Sequence, residues 1–203
     1  MAKSVLITGA SSGFGRDIAW LFKKKGWNVA ATMRSPEKAE SWTMPAGLFA
    51  PRLDVTDRAS MQSAIDETVS RFGGIDVLVN NAGFALMGPL EGASPDDLRR
   101  EIDTNIMGVI GMIQLVLPLM REARSGVIVN VSSLGGRMTL PLFSTYHATK
   151  FAVEGLTEAL QYELQEHGIP VKLIEPGGSK TNFDRSSMVR NTTSCLESSY
   201  RWI

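Results

Sequence analysis

Short apolar runs, many of their residues β-branched, recur along this chain between stretches of helical periodicity, and this alternation constrains the fold more than any other feature. The runs are Ser4–Thr8, Asn28–Thr32, Leu48–Val55, Ile75–Val79, Gly126–Val131 and Val171–Ile174. A strand that is apolar on both sides cannot leave either face in water. Between the runs, Arg16–Lys25 carries Ile18, Ala19, Leu21 and Phe22 at helical spacing and stops at Gly26. Arg58–Phe72 puts Met61, Ile65, Val69 and Phe72 on one face before Gly73-Gly74. Asp96–Met120, with Pro95 near its start, and Ser144–Glu166 are the longer patterns. Strands alternating with helices predict an α/β fold whose parallel sheet is covered on both faces. Pro51 weakens the third run, because proline has no N–H to give to a ladder.

The 203 residues suggest one domain with length enough for a good core. We place it at residues 1–183. The remainder, 184–203, follows neither period and reads as an irregular C-terminal tail or lid remnant. Lysine plus arginine and aspartate plus glutamate number 21 each, so charge gives no reason to expect a nucleic-acid or membrane partner. The single cysteine, Cys195, excludes an internal disulfide and fits a reducing compartment. The N-terminus enters a strand-like run at once, without the pattern of a signal peptide. The longest apolar stretch, Ile106 to Met120, is broken by Gln114 and Pro118 and is too short to span a bilayer. A cytoplasmic location is expected, and no metal site.

The turn after the first run is Gly9-Ala10-Ser11-Ser12-Gly13-Phe14-Gly15. A glycine-rich turn between a first strand and a first helix is where a dinucleotide pyrophosphate sits. There the backbone comes close, and the helix N-terminus offers free N–H groups and a positive dipole. The second run ends in Thr32-Met33-Arg34-Ser35, and no carboxylate appears before Glu37. An acidic residue there would hold the ribose hydroxyls of NAD(H). Arg34 suits the 2′-phosphate of NADP(H), which is therefore the favoured cofactor, with NAD(H) second. Arg16, near the loop, is expected to point away along its helix.

Tyr146 and Lys150 stand at i, i+4 and so share one helical face. An ammonium beside a phenol favours the phenolate, so the Tyr146 pKa is expected to fall toward neutral. The pair then suits proton transfer to and from an alcohol or carbonyl oxygen. Ser133, at the end of the fifth run, is placed to donate to that oxygen, with Ser132 its rival. Asn105 falls in the middle of a helical pattern, where asparagine is a poor helix former, which points to a specific task. His147 diverges from Tyr146 around the helix and reads as a pocket-edge or core residue. Asp54 closes the third run, and Asn81-Ala82-Gly83 lies at a strand's carboxyl end, where ligands sit in open α/β sheets.

These motifs, in this order, resemble the short-chain dehydrogenase/reductase family of single-domain type. Thr8 to Gly15 matches its T-G-x-x-x-G-x-G, Asp54-Val55 its adenine contact, and Asn80-Asn81-Ala82-Gly83 its N-N-A-G. Asn105, Ser133, Tyr146 and Lys150 match its catalytic tetrad. Pro176-Gly177, followed by Ser179 and Thr181, matches the segment near the nicotinamide. The resemblance covers residues 4 to about 183. It implies a Rossmann-like doubly wound parallel sheet of about six strands in the order 3-2-1-4-5-6. It implies cofactor contacts from Gly9, Ser11, Ser12, Gly13, Phe14, Gly15, Arg34, Asp54, Val55, Asn81, Ala82, Gly83, Tyr146, Lys150, Pro176, Gly177, Ser179 and Thr181. It implies hydride transfer to and from an alcohol or ketone carbon, with Asn105 helping to hold a water linked to Lys150. It also implies a homodimer, or a higher oligomer, paired through the long helices. A seventh strand, usual in the family, is not apparent.

Leu86, Met87, Leu134, Met138, Leu140, Phe143 and Phe183 are candidates for an apolar substrate pocket. A second reading is a dinucleotide-binding regulator or interaction protein that keeps the fold and is catalytically impaired. The intact tetrad argues against it, and the shortened end argues for it. A third, a sugar-nucleotide epimerase or dehydratase, ranks low because such relatives carry another substrate domain and a different glycine spacing.

Overall fold

In the computed structural model, residues 2–37, 48–178 and 188–190 are described. In chain order they form β1 (Ser4–Ile7), α1 (Gly13–Lys24), β2 (Asn28–Ala31), α2 (Arg58–Phe72), β3 (Val77–Asn80), β4 (Ala85–Met87), α3 (Pro95–Ile102), α4 (Gly108–Ala123), β5 (Val127–Val131), α5 (Ser144–Leu164), β6 (Val171–Ile174) and β7 (Met188–Arg190). The main sheet is parallel and runs β2-β1-β3-β5-β6. Its register sets Ala30, Leu6, Leu78, Ile128 and Val171 in one row straight across the strands. That row is buried under α2, α4 and α5 through Met61, Ile65, Met112, Val116, Val153 and Leu160. The alternate residues Val5, Ile7, Val29, Ala31, Val77 and Val79 face the other way and close over Ala19 of α1. Strands apolar on both sides thus find helices on both sides, as the sequence predicts.

The expected third strand is reduced to two isolated parallel bridges, Ala30 to Phe49 and Met33 to Arg52. The segment still runs along β2: Ala31 N–H reaches Phe49 O at 2.8 Å and Leu53 N–H reaches Met33 O at 2.9 Å. Pro51 lies between those contacts and cannot donate, so the ladder never becomes continuous. Counted with this edge segment, the spatial order is the expected 3-2-1-4-5-6.

The expected helix Asp96–Met120 is also interrupted. α3 and α4 are joined by a π turn, Asp103–Met107, with Asn105 buried inside it. Helix 95–123 taken whole is long and apolar enough to cross a membrane by length and composition, a correction to the shorter stretch read from sequence. Here Val109, Met112, Ile113, Val116 and Met120 of α4 are spent on the core of the domain. β7, in a stretch expected to be irregular, pairs in parallel with β4. Three residues are too few to show a period.

A buried polar chain fixes the strands beneath the site. Asn80 Nδ2 donates to Asn130 Oδ1 at 2.9 Å, Asn130 Nδ2 to Thr157 Oγ1 at 2.9 Å, and Thr157 Oγ1 to Val153 O at 2.6 Å. It ties β3 to β5 and both to α5, the helix that carries Tyr146 and Lys150.

Candidate active site

A cleft of about 900 Å³ opens at the carboxyl ends of the strands. At one end lie Arg34, Asp54 and Val55, in the middle Gly9, Ser11, Ser12, Gly13, Phe14, Asn81, Ala82 and Gly83, and at the other end Ser133, Tyr146, Lys150, Pro176 and Gly177. Nearly every sequence-predicted residue that is described therefore lines one continuous space. Gly15 and Asn105 stand just behind it. Ser179, Thr181 and Phe183 lie outside the described residues.

The middle of the cleft is a cradle of backbone. Asn81 binds the glycine turn through its Nδ2, which donates to Thr8 O at 2.9 Å and Gly9 O at 3.0 Å. Thr8 Oγ1 in turn accepts the Asn81 and Ala82 N–H groups, each at 3.0 Å. The fit leaves no room for a side chain. A Cβ on Gly15 would lie 2.4 Å from Gly9 O and 2.5 Å from Asn81 Nδ2, and one on Gly9 (φ +67°) would lie 2.8 Å from Ala82 Cα. Ser12, the N-cap of α1, makes no side-chain cap, and no acid occupies the first turn. The helix N-terminus therefore meets the cleft with neither a side-chain cap nor a competing negative charge. Such a cradle fits the pyrophosphate of a dinucleotide.

At the adenosine end, Asp54 Oδ1 accepts Thr56 N–H at 2.9 Å and the Thr56 hydroxyl at 2.7 Å, which holds its carboxylate at the cleft wall. Arg34 is exposed, and its carbonyl takes the Arg52 Nε–H at 3.2 Å. Arg16 turns away to Asp17, as expected.

The other end is built from buried side chains. Ser133 caps the short turn Leu134–Gly136, its Oγ accepting Gly135 N–H at 3.0 Å, which leaves its own hydrogen for donation. It also hydrogen-bonds Tyr146, whereas Ser132 is buried against Glu154. Asn105 does not face the cleft. Its Oδ1 accepts Phe84 N–H at 3.1 Å, and its Nδ2 donates to Phe84 O at 2.8 Å and Thr149 Oγ1 at 3.0 Å. A Cβ on Gly83 would come 3.1 Å from Asn105 Oδ1 and 3.8 Å from Lys150 Nζ, so this glycine also makes room for the tetrad. His147 is both buried and on the cleft wall. Leu140 N–H donates to its Nε2 at 2.7 Å, so Nδ1 donates to Gly135 O at 2.7 Å. With both nitrogens engaged, it pins the wall 134–140 to α5 and has none left to act as a base. Leu134, Met138, Leu140 and Phe143 line the cleft as anticipated. Leu86 is instead core, and Met87 is not on the cleft wall.

The electrostatics correct one expectation. Tyr146 is raised above its ordinary value, first by burial; the Ser133 hydrogen bond opposes this and the Glu101 charge adds to it. Lys150 sits over the ring face, 5.7 Å from its centre, and donates to Val131 O at 3.0 Å. Burial pushes Lys150 itself down to about 8, against the pull of Glu101 and Glu154. Sequence reasoning missed Glu101, Thr149 and Arg137. Arg137 bridges Glu154 at 3.1 Å and Glu175 at 3.0 Å, tying the Ser133 turn to α5 and to the end of β6. An isolated acid, threonine or arginine within an amphipathic pattern gives no signal of such contacts. Among the described residues no cluster of His, Cys, Asp or Glu is arranged to hold a metal ion.

A family model for short chain dehydrogenases matches residues 3–191. The chain belongs to the short chain dehydrogenase family. An uncharacterized oxidoreductase of Schizosaccharomyces pombe is 40% identical over 151 residues, 74% of this chain and 64% of that protein. The chain thus spans less than two thirds of that relative's length. A 3-ketodihydrosphingosine reductase of Bacteroides thetaiotaomicron is 41% identical over 189 residues, 93% of this chain and 68% of the relative. The solved structure of ElxO with NADP bound superposes with a TM-score of 0.81 at 36% identity, covering 89% of this chain and 75% of that one. The family's sheet order and helical layers are those described above.

Proposed function

We propose that this chain is an NADP(H)-dependent oxidoreductase acting on an alcohol/ketone pair, with Tyr146 as general acid/base. The observation that carries this reading is the single cleft that joins a glycine-backed phosphate cradle to Ser133, Tyr146 and Lys150. The dinucleotide, when bound, supplies or accepts the hydride. Gly9, Ser11, Ser12, Gly13 and Phe14 hold its pyrophosphate, and Asp54, Val55, Asn81, Ala82 and Gly83 its adenosine. Pro176 and Gly177 border the nicotinamide, and the family resemblance assigns Ser179 and Thr181 to the same segment.

In the reducing direction Tyr146 gives its proton to the carbonyl oxygen, and Ser133 donates a hydrogen bond to the same oxygen as negative charge develops. Lys150 supplies the positive charge that stabilises the phenolate left behind. Both groups of the Asn105 amide are engaged, so it acts by fixing Phe84 to α5 and leaves its peptide to hold the relay water. Arg34 supports NADP(H) over NAD(H), as does the NADP bound in ElxO. The wall of Leu134, Met138, Leu140 and Phe143 supports a hydrophobic substrate, as does the likeness to a 3-ketodihydrosphingosine reductase. A homodimer through the long helices is supported by exposed Ile102, Met107, Phe151 and Tyr162, and sedimentation as a monomer would remove it. A cytoplasmic location accords with the lone cysteine.

Tyr146→Phe is expected to abolish nearly all NADPH oxidation with a panel of apolar ketones while NADPH fluorescence titration gives an unchanged Kd. A fully active Phe variant would overturn the assignment. Cofactor binding without turnover by the wild type on any ketone or alcohol would favour the regulator instead.

A further inference from the structure

Glu101 is completely buried, yet the reaction proposed above makes no use of it. Its Oε1 accepts Leu86 N–H at 2.8 Å, which anchors β4. Its Oε2 is buried as well, and the Thr145 side chain hydrogen-bonds the carboxyl. A carboxylate in an interior is costly and persists only where something offsets it. The groups that face it are Thr145, Tyr146 and Lys150 from α5 and the Leu86 peptide from β4. Lys150 is its complement. That ammonium is buried, its hydrogen bond goes to the Val131 carbonyl, and two acids act on it. One is Glu154, one turn along α5 and already bridged to Arg137 at 3.1 Å. The other is Glu101, which has no arginine partner among the described residues. Arg100, its neighbour in sequence, pairs outward with Asp97.

We propose that Glu101 is the buried counter-charge of the Lys150–Tyr146 pair, a positioning residue that acts through α5 without touching substrate. A negative charge at this point favours the ammonium and disfavours the phenolate. Both effects move the titration of the pair to higher pH, and the steps belong to the pair rather than to either residue. The directions agree: Glu101 opposes the burial that pushes Lys150 down and adds to the burial that lifts Tyr146, while burial raises Glu101 itself and Thr145, Leu86 and Lys150 pull it back toward the charged form.

The inference rests on reading Tyr146 as the acid/base, so its test is a titration that needs no substrate. The chain contains 3 tyrosines. With Tyr162 and Tyr200 changed to Phe, tyrosinate absorbance follows Tyr146 alone. Glu101→Gln keeps the acceptor for Leu86 and removes the charge, and its tyrosinate transition is expected at lower pH than in the parent. Glu101→Met, which removes the charge together with the acceptor for Leu86, is expected to shift the same way, and Glu101→Asp to stay near the parent. In turnover, both limbs of the kcat/KM profile of Glu101→Gln are expected to move toward acid, where a merely structural role would lower the curve without moving it. A transition in the Gln or Met variant at or above the parent's pH overturns the proposal, even if turnover falls. A shifted transition in a protein that never oxidises NADPH leaves the counter-charge standing and removes the catalytic reading.

Discussion

The two ends of the cleft are made of different material. The cradle under Gly9–Gly15 is backbone held by Thr8 and Asn81, and it works by having no side chain at Gly9 and Gly15. The other end is a set of buried polar side chains, Asn105, Lys150 and Glu101 among them, each tied to the backbone of a distant segment. The first is a problem of space and the second a problem of charge. They should therefore fail in different ways.

The glycines give the sharpest break after the Tyr146 substitution. Gly15→Ala forces a methyl group against a fixed carbonyl and a fixed amide. We expect a loss of roughly 3 kcal/mol in folding, read as denaturant midpoint, together with most NADPH affinity. Gly177→Ala, at the other end, meets nothing within 4 Å of the new Cβ and should leave the midpoint unchanged. Equal damage from both would erase the distinction.

Lys150 offers a comparable effect of opposite sign. Its value falls from 10.5 to about 8 on folding, so the folded state disfavours the ammonium by roughly 3 kcal/mol. A depressed lysine works against stability. Below pH 8 both states hold the proton and the whole cost is present. As pH rises from about 8 toward 10.5 the folded state has released its proton first, and the cost disappears. Lys150→Met should thus raise the stability of the cofactor-free protein at pH 7 and gain little at pH 10, while abolishing turnover. If urea titrations show Lys150→Met less stable at pH 7, the lysine is a structural asset and the contrast between the ends is blurred.

Arg34 is exposed, and its effect is the smallest. Arg34→Ala should raise the KM for NADPH by about tenfold and leave that for NADH nearly unchanged, since one charged contact with the 2′-phosphate is lost. An equal rise for both cofactors would place the role of Arg34 elsewhere.

Most of the fold and nearly all of the cleft could be read from the sequence, for a physical reason. Apolar runs and glycine turns are local patterns, and they report directly on strands, helices and close backbone approach. Leu6, Leu78 and Ile128 needed only period and burial to be assigned. What stayed hidden depends on long-range placement. Whether Pro51 interrupts a strand depends on which N–H the neighbour needs. Where Lys150 Nζ stands relative to Tyr146 depends on Val131, nineteen residues away in sequence. Glu101 looks like any acid in an amphipathic helix until β4 and α5 are packed around it.

The π turn at Asp103–Met107 has a consequence of phase. It holds one residue more than a regular helical turn requires, and that surplus sets the rotation of α3 relative to α4. With α4 fixed on the sheet by Met112 and Val116, deleting one residue from the turn would restore a regular ladder. The same deletion would swing Glu101 about 100° around the axis, away from α5. No substitution can do this, because a substitution changes a side chain and leaves the count as it is. The alignment of the reaction end is in this sense held by a number of residues as much as by their kinds.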